Sequence, residues 1–193
     1  MRHILGVASA EFINHGYAAA SVARIASEAG VSKKTIYARY PTKDALLVAV
    51  VTDLVSRLHE RVIAAMNTAQ GDPHHVLTSF GTQVAQGWTE PEEIGLYRLI
   101  ISEATRFPQM SSIYRDAMRR FRGTLADYLR QQNDLGTLTI PDPDAASHQF
   151  GMLVYGEIRE DALLGDTVTE DVIAAVVKRA VHVFLIGYAS PEH

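Results

Sequence analysis

The chain contains no cysteine, which excludes disulfide bonds, thiolate zinc sites and cysteine nucleophiles. No apolar run is long enough to span a bilayer, and the first ten residues lack the layout of a secretory signal. We therefore expect a cytoplasmic protein with no membrane partner. Hydrophobic residues still make up 47% of the 193 residues, enough to build the core of one large or two small domains.

Signatures of catalysis and of metal binding are also absent from the sequence. There is no glycine-flanked serine elbow, no phosphate-cradling glycine loop and no HExxH motif. Of the eight histidines, His74 and His75 are adjacent and point to different helix faces, and His148 and His182 could meet only through folding. We therefore expect a binding protein without catalytic residues, metal or cofactor.

The net charge of the chain is small, but the charged residues are unevenly distributed. The net charge is −4, yet residues 1–48 hold six basic and three acidic side chains, whereas the remainder holds twelve basic and nineteen acidic ones. A basic first part joined to an acidic body favours contact between the first part and a polyanion. Chance asymmetry between two solvated surfaces explains the charge counts equally well.

Helical periodicity extends along nearly the whole chain, and no strand pattern or repeat stands out. Ser21, Ser32 and Thr42 are candidate N-caps, and Gly16 and Gly30 are candidate breaks. The pattern predicts an all-α fold of about nine helices. After a first helix that ends at Gly16, they cover about 22–29, a short segment after Ser32, and 43–68, 74–88, 92–106, 109–132, 143–164 and 169–189.

The segment from Ser21 to Tyr40 has the spacing of a helix-turn-helix. Two short helices that cross need a small residue at their contact and a glycine at the turn, and Ala26 and Gly30 meet these needs. This pattern alone also fits an ordinary helical hairpin. The position of the cations favours DNA binding, because Lys33, Lys34 and Lys43 lie in first turns of helices, where the helix dipole disfavours positive charge. Phosphate groups would reverse that preference.

The same residues resemble the N-terminal domain of the TetR family of transcriptional regulators. The similarity lies in Ile25-Ala26, in the run Ala29 to Tyr37, in Tyr40-Pro41 and in Lys43, within about the first 55 residues. It implies a DNA-binding domain over 1–48 and a ligand-binding and dimerisation domain over 49–193. The predicted contacts to double-stranded DNA are Ser21, Val22, Ser32, Lys33, Lys34, Thr35, Tyr37, Tyr40 and Lys43, with Ser21 and Val22 acting through the helix N-terminus.

The body should supply a homodimer, because a palindromic operator needs two DNA-binding heads. The last two helices carry the apolar residues predicted to form its interface: Phe150, Leu153, Val176, Val177, Ala180, Phe184 and Tyr188. A monomer with a deeply buried last helix is the alternative. The family resemblance also implies a small-molecule effector of unidentified class. The predicted pocket lining is Trp88, Tyr97, Glu103, Phe107, Met110, Tyr114, Met118, Phe121 and Tyr155, although such residues also suit a plain core.

These features predict a ligand-responsive repressor that binds a palindromic operator as a dimer and is released by an effector. Two alternatives from other classes remain. One is a helical-bundle enzyme or small-molecule carrier with an incidental helix-turn-helix, and the other is a protein–protein adaptor that uses the acidic body. Duplex binding with a steep salt dependence distinguishes the regulator from both.

Overall fold

The computed structural model describes residues 2–68 and 72–188, and these form nine α-helices without a strand. The all-α prediction is confirmed. The helices are α1 (Arg2–Ala19), α2 (Val22–Glu28), α3 (Lys33–Arg39), α4 (Lys43–Thr68), α5 (Pro73–Gly87), α6 (Pro91–Glu103), α7 (Pro108–Asp134), α8 (Pro143–Leu164) and α9 (Glu170–Tyr188). The predicted end of the last helix at residue 189 lies outside the described residues.

The helix ends follow from local chemistry. Asp72 caps α5 by accepting a hydrogen bond from the His75 amide at 2.8 Å, and Asp142 caps α8 through the amides of Asp144 and Ala145. Gly165 ends α8 with φ 99°, a left-handed conformation that glycine adopts without a Cβ clash. Helix α6 ends at Glu103, three residues earlier than predicted, because a turn precedes the proline that begins α7.

The chain divides into two compact units. The first contains residues 2–57 together with 91–117, and the second contains 58–68, 72–90 and 118–188. Thus α6 belongs to the same unit as the helix-turn-helix, and α4 and α7 each contribute to both units. The predicted boundary between residues 48 and 49 concerns the division of function and stays a prediction.

In the first unit, α6 packs directly on α1. Gly95 of α6 allows the close approach, since a Cβ there would meet the Ile13 side chain well inside 3.0 Å. Glu92 adds polar links, because it accepts a hydrogen bond from Ser9 at 3.1 Å and receives the Arg57 guanidinium on both oxygens at 3.1 and 3.2 Å. The first unit therefore holds α1 in a defined position for the helices that follow it.

In the second unit, α5, α8 and α9 pack together around one hydrophobic core. Phe80, Phe150 and Phe184 form its aromatic centre, with neighbouring ring centroids 6.2 Å and 5.1 Å apart. Gly81 lets α9 and α8 approach α5 closely, since a Cβ there would lie 3.1 Å from Val177. This core buries most of the apolar side chains of α9.

Candidate nucleic-acid interface

The α2–turn–α3 segment has the geometry that the sequence predicts. The Ser21 hydroxyl caps α2 by accepting hydrogen bonds from the amides of Ala23 and Arg24 at 3.2 and 3.4 Å. Gly30 has φ +65°, which allows the chain to leave α2 and start α3 within four residues. The Ser32 hydroxyl caps α3 through the Thr35 amide at 3.0 Å. Both predicted N-caps and the turn glycine are confirmed.

One face of α3 is anchored and the other is solvent-exposed. Ile36 is 1% exposed and packs in a core that includes the fully buried Ile25. The residues around Ile36 on the helix point to solvent, and Tyr37 is 43% exposed. The exposed residues of α3 are Lys33, Lys34, Thr35, Tyr37, Ala38 and Arg39. A short basic helix with hydroxyl groups, fixed by one buried isoleucine, is thus exposed to solvent.

The first turn of α3 contains no acidic residue, and neither does the first turn of α2. Lys33 and Lys34 therefore face the positive end of a helix dipole without a carboxylate in that turn to offset it. This arrangement is unfavourable for the isolated helix and favourable beside phosphate groups. The lysine positions predicted from the sequence are thus reproduced, and their contact with DNA stays a prediction.

Glu11 of α1 positions the start of α2. Its carboxylate is buried, accepts a hydrogen bond from the Ser21 amide at 2.7 Å and pairs with the Arg24 guanidinium. Burial by itself would raise the pKa of Glu11, but the hydrogen bonds from Arg24 and Ser21 outweigh burial and lower it. The carboxylate thus stays ionised and joins α1 to the helix-turn-helix. No motif in the sequence pointed to this contact.

The remaining predicted DNA contacts differ in how they are placed. Ser21 and Tyr40 are partly buried, and the side chain of Val22 is only 7% exposed, so Val22 can offer DNA its backbone but not its side chain. Lys43 is engaged within the chain: its ammonium donates to the Ala18 carbonyl at 3.2 Å and lies 4.6 Å from the centroid of the Tyr17 ring. A phosphate contact by Lys43 would require the ammonium to leave these partners.

The predicted pocket lining is divided between the two units. Tyr97, Glu103, Phe107, Met110 and Tyr114 lie in the first unit, and Trp88, Met118, Phe121 and Tyr155 lie in the second. In the first unit Met110 is fully buried, and the rings of Tyr97 and Tyr114 are 5.7 Å apart.

In the second unit the Arg159 guanidinium lies 5.6 Å from the Trp88 ring and 5.1 Å from the Tyr155 ring. These two rings are themselves 5.7 Å apart. The pocket assignment remains a prediction for all nine residues.

Most residues of the predicted dimer interface are buried within the single chain, so the interface stays a prediction that these side chains do not support. Phe150, Val176, Val177, Ala180 and Phe184 are each at most 3% exposed within a single chain, because they form the core against α5. Tyr188 is partly buried and contacts the Phe184 ring at 4.9 Å. Of the seven predicted residues, Leu153 is the one that presents a large exposed surface, at 43%. Helical spacing identified the apolar face of α9 but assigned the buried face to the partner.

Another apolar stripe, of which the sequence predicts Leu153 alone, lies on the outside of α8 and α9. It comprises Met152, Leu153, Leu164, Val172, Val183 and Ile186, which are 37% to 77% exposed. On α9 the signal was present in the sequence, because positions 172, 175, 179, 183 and 186 follow the three- and four-residue spacing of one helix face. Only the burial of the opposite face shows which stripe is free.

Within residues 2–68 and 72–188, no group of three or more His, Asp or Glu side chains could hold a metal ion. The same residues contain no helix with the length and apolar character needed to cross a membrane.

Comparison with known protein families supports the interpretation of the N-terminal helices. Residues 4–50 match the family described as bacterial regulatory proteins of the tetR family. Residues 75–190 match the C-terminal domain of AefR-like transcriptional repressors, and this match alone covers more than half of the chain. The chain belongs to the TetR family of bacterial transcriptional regulators. Its helix-turn-helix is therefore a DNA-binding domain, and the fold class and family predicted from the sequence are confirmed.

Relatives of this TetR-family regulator match it along nearly its whole length. The HTH-type transcriptional regulator YvkB of Bacillus subtilis is 21% identical over 197 residues, which cover 98% of this chain and 97% of that protein. A TetR-family regulator from Mesorhizobium loti has the same fold with a TM-score of 0.90, 24% identity, and coverage of 97% and 96% of the two chains. The flavonoid-responsive regulator FrrA gives a TM-score of 0.77 at 25% identity, with 99% and 97% covered.

Proposed function

We propose that this TetR-family regulator is a repressor that binds a palindromic operator as a homodimer and is released by a small-molecule effector. The observation that carries the DNA-binding part is the exposed basic face of α3, fixed from beneath by Ile36. In a helix-turn-helix the second helix enters the major groove with its N-terminal residues at the base edges. A regulator of this kind acts where the DNA is, and we therefore propose a cytoplasmic location in a bacterial cell.

Within α3 the residues divide by chemistry. Lys33 and Lys34, at the first turn, are the proposed phosphate contacts, and Thr35 and Tyr37 are the proposed base-edge or backbone contacts through their hydroxyls. Ser21, Val22, Ser32, Tyr40 and Lys43 complete the proposed interface. Family membership favours a binding protein over the helical-bundle enzyme and over the adaptor.

Selection of bound duplexes from a random pool tests the proposal and gives the operator. Binding of the selected duplex is then measured by fluorescence anisotropy at several salt concentrations. Replacing Lys33 or Lys34 by Ala should weaken binding and reduce the slope of log K against log salt by about 0.9 for each phosphate that is no longer neutralised. In a dimer this change would occur in both subunits.

Lys178→Ala is the matched control, because Lys178 is an exposed lysine on α9 outside the helix-turn-helix. It should leave both the affinity and the slope unchanged. Recovery of no duplex at low salt, or equal effects of the three lysine variants, would contradict the proposal.

The proposed dimer uses the exposed stripe of α8 and α9. Two contacts define the antiparallel register of these helices: Arg179 donates to Glu157 at 3.2 Å, and the Tyr188 hydroxyl donates to Gln149 at 2.7 Å. In an antiparallel helix pair, residues at the same height have residue numbers with a nearly constant sum. Both contacts obey this rule with nearly the same sum, and Leu153 and Val183 have that sum too, so they lie level with each other.

The same register places Leu164 level with Val172. The two apolar pairs thus lie on either side of the Arg179–Glu157 ion pair. A two-fold axis near that ion pair would place each apolar pair of one subunit against the other apolar pair of its partner. The predicted homodimer is therefore retained, with a different face.

Sedimentation velocity tests this surface. Val183→Glu places a charge within the stripe and should convert the dimer to a monomer, because an unpaired buried charge is costly to desolvate. Ala174→Glu adds the same charge at an exposed position outside the stripe on α9 and should leave the dimer intact. A Val183→Glu chain that sediments as a dimer would exclude this face.

For the effector, we propose an aromatic molecule that carries a hydroxyl or acidic group. The support is the Trp88–Tyr155–Arg159 cluster, in which a guanidinium lies beside two rings in the second unit. An aromatic ligand could stack on the rings while Arg159 binds its polar group. The name of FrrA describes that protein as flavonoid-responsive, which makes a flavonoid a suitable first probe.

The chain contains one tryptophan, Trp88, and so its fluorescence reports on this cluster alone. Naringenin should quench that fluorescence in a saturable manner and release the selected duplex, and Tyr155→Ala should weaken both effects in parallel. Tyr97→Ala, at an aromatic pair in the first unit, is the comparison variant. Unchanged fluorescence in the presence of naringenin and related flavonoids would exclude this effector class.

A further inference from the structure

The Tyr17 side chain is a fixed aromatic surface in the first unit. It is 6% exposed, stacks on Phe12 with centroids 6.2 Å apart, and meets the edge of Phe107 at 4.8 Å. Its hydroxyl donates a hydrogen bond to Asp44 in the first turn of α4. Burial, followed by the hydrogen bond to Asp44, raises the pKa of Tyr17 to about 12, so the ring remains a neutral phenol.

Two cations share this one ring. The Lys43 ammonium and the Arg106 guanidinium each lie 4.6 Å from its centroid. Each is attracted to the ring, but the two charges are at most twice that distance apart and repel each other. Lys43 comes from the start of α4, beside the helix-turn-helix, whereas Arg106 comes from the turn between α6 and α7.

The two cations differ in what else holds them. Lys43 has a second partner in the Ala18 carbonyl at 3.2 Å, and its side chain is only partly buried. Arg106 also lies 5.3 Å from the Phe107 ring. Lys43 is thus the cation that belongs to the proposed DNA interface yet is retained by the chain itself. Any group that weakens its hold on Tyr17 makes it more available to a phosphate.

We propose that Arg106 is a positioning residue for DNA binding, which acts through the Tyr17 ring by weakening the internal hold on Lys43. This inference rests on the proposed function. Without Arg106 the ring has a single cation, Lys43 binds it more firmly, and moving the ammonium to a phosphate costs more. Repulsion across this spacing in a partly exposed site corresponds to about a threefold to tenfold change in an equilibrium constant.

A double-mutant cycle on the selected duplex tests the inference. Arg106→Gln removes the charge and keeps a planar head group, and we expect it to weaken binding about threefold to tenfold. The salt slope should fall by about 0.9 for each phosphate that Lys43 no longer neutralises. Lys43→Ala should weaken binding of the wild-type chain similarly but add little to Arg106→Gln, since Lys43 already fails to reach the phosphate in that variant.

Three further variants keep the outcome interpretable. Arg106→Lys restores a cation over the ring and should restore most of the affinity and slope. Arg115→Ala removes an exposed arginine on α7 in the same unit and should change neither. Arg106→Met, which keeps the length of the side chain, replaces the glutamine variant if circular dichroism shows that the latter is unfolded.

The outcomes separate this inference from the proposed function. If the wild-type chain binds no selected duplex, the proposed function itself fails. If it binds and Lys43→Ala weakens the Arg106→Gln chain as much as the wild type, Arg106 does not act on Lys43 and the inference is overturned. Unfolding of both neutral Arg106 variants would make its role purely structural and would overturn the inference as well.

Discussion

Replacing Gly95 by Ala should destabilise the protein, although alanine is the better helix former. Gly95 is buried where α6 crosses α1, and a Cβ there would meet Ile13 Cγ2 well inside 3.0 Å and two further Ile13 carbons at 3.3 Å. Overpacking of this kind costs about 1–3 kcal/mol. The helix gains about 1 kcal/mol from the removal of the glycine. We therefore expect a net decrease of up to about 2 kcal/mol in the free energy of unfolding.

Gly123 provides the matched control, because it lies within α7 and a Cβ there has no neighbour within 4 Å. Gly123→Ala should stabilise the protein by about 0.5–1 kcal/mol, the helix propensity alone. Urea unfolding at one fixed protein concentration measures both variants, since a dimer's stability depends on concentration. In an Ile13→Ala background the Gly95→Ala penalty should vanish. A Gly95→Ala chain at least as stable as the wild type would refute the packing argument.

Three further predictions concern buried and partly buried polar groups. Glu11→Gln should lower the unfolding free energy by about 1–2 kcal/mol, measured by urea unfolding, because it removes a charge-assisted pairing with Arg24. The lowered pKa of Glu11 means that its stabilisation is present above the unfolded-state pKa and disappears as pH falls through the folded-state value, so the variant should lose less stability on acidification. Burial is the main cause that raises the pKa of Tyr17 and of Tyr128 to about 12. In an absorbance titration both should therefore form phenolate about two pH units above exposed tyrosines. A single transition near pH 10 would contradict this. Asn133→Asp should cost about 1–3 kcal/mol in thermal or urea unfolding, because it removes the amide donor that reaches a backbone carbonyl at 2.7 Å, whereas an unchanged midpoint would show that water replaces it.

Helix α6 and the helix-turn-helix share one compact unit. Three contacts join the 91–117 segment to α1: the hydrogen bond from Ser9 to Glu92, the close approach of Gly95 to Ile13, and the Arg106 guanidinium over the Tyr17 ring. A segment that carries predicted effector-pocket residues thus belongs to the unit that carries the DNA-reading helix.

The sequence alone determined the secondary structure and the family. Caps such as Ser21 and Ser32 and the glycine at the turn act within a few residues, so their effects are readable without knowledge of the rest of the chain. The exposed lysines of α3 were found for the same reason, since the helix dipole is a local property.

The tertiary structure alone decided which apolar face is buried and where each long side chain ends. Helix α9 has two apolar stripes, and both satisfy helical spacing; packing against α5 and α8 buries the one with Phe184 and leaves Val183 exposed. Glu11 and Arg24, or Tyr17 and Arg106, are brought together by folding over 13 and 89 positions of sequence, and no local pattern encodes such meetings. Periodicity states that a face is apolar, and only the packed neighbours determine whether the chain itself or a partner covers it.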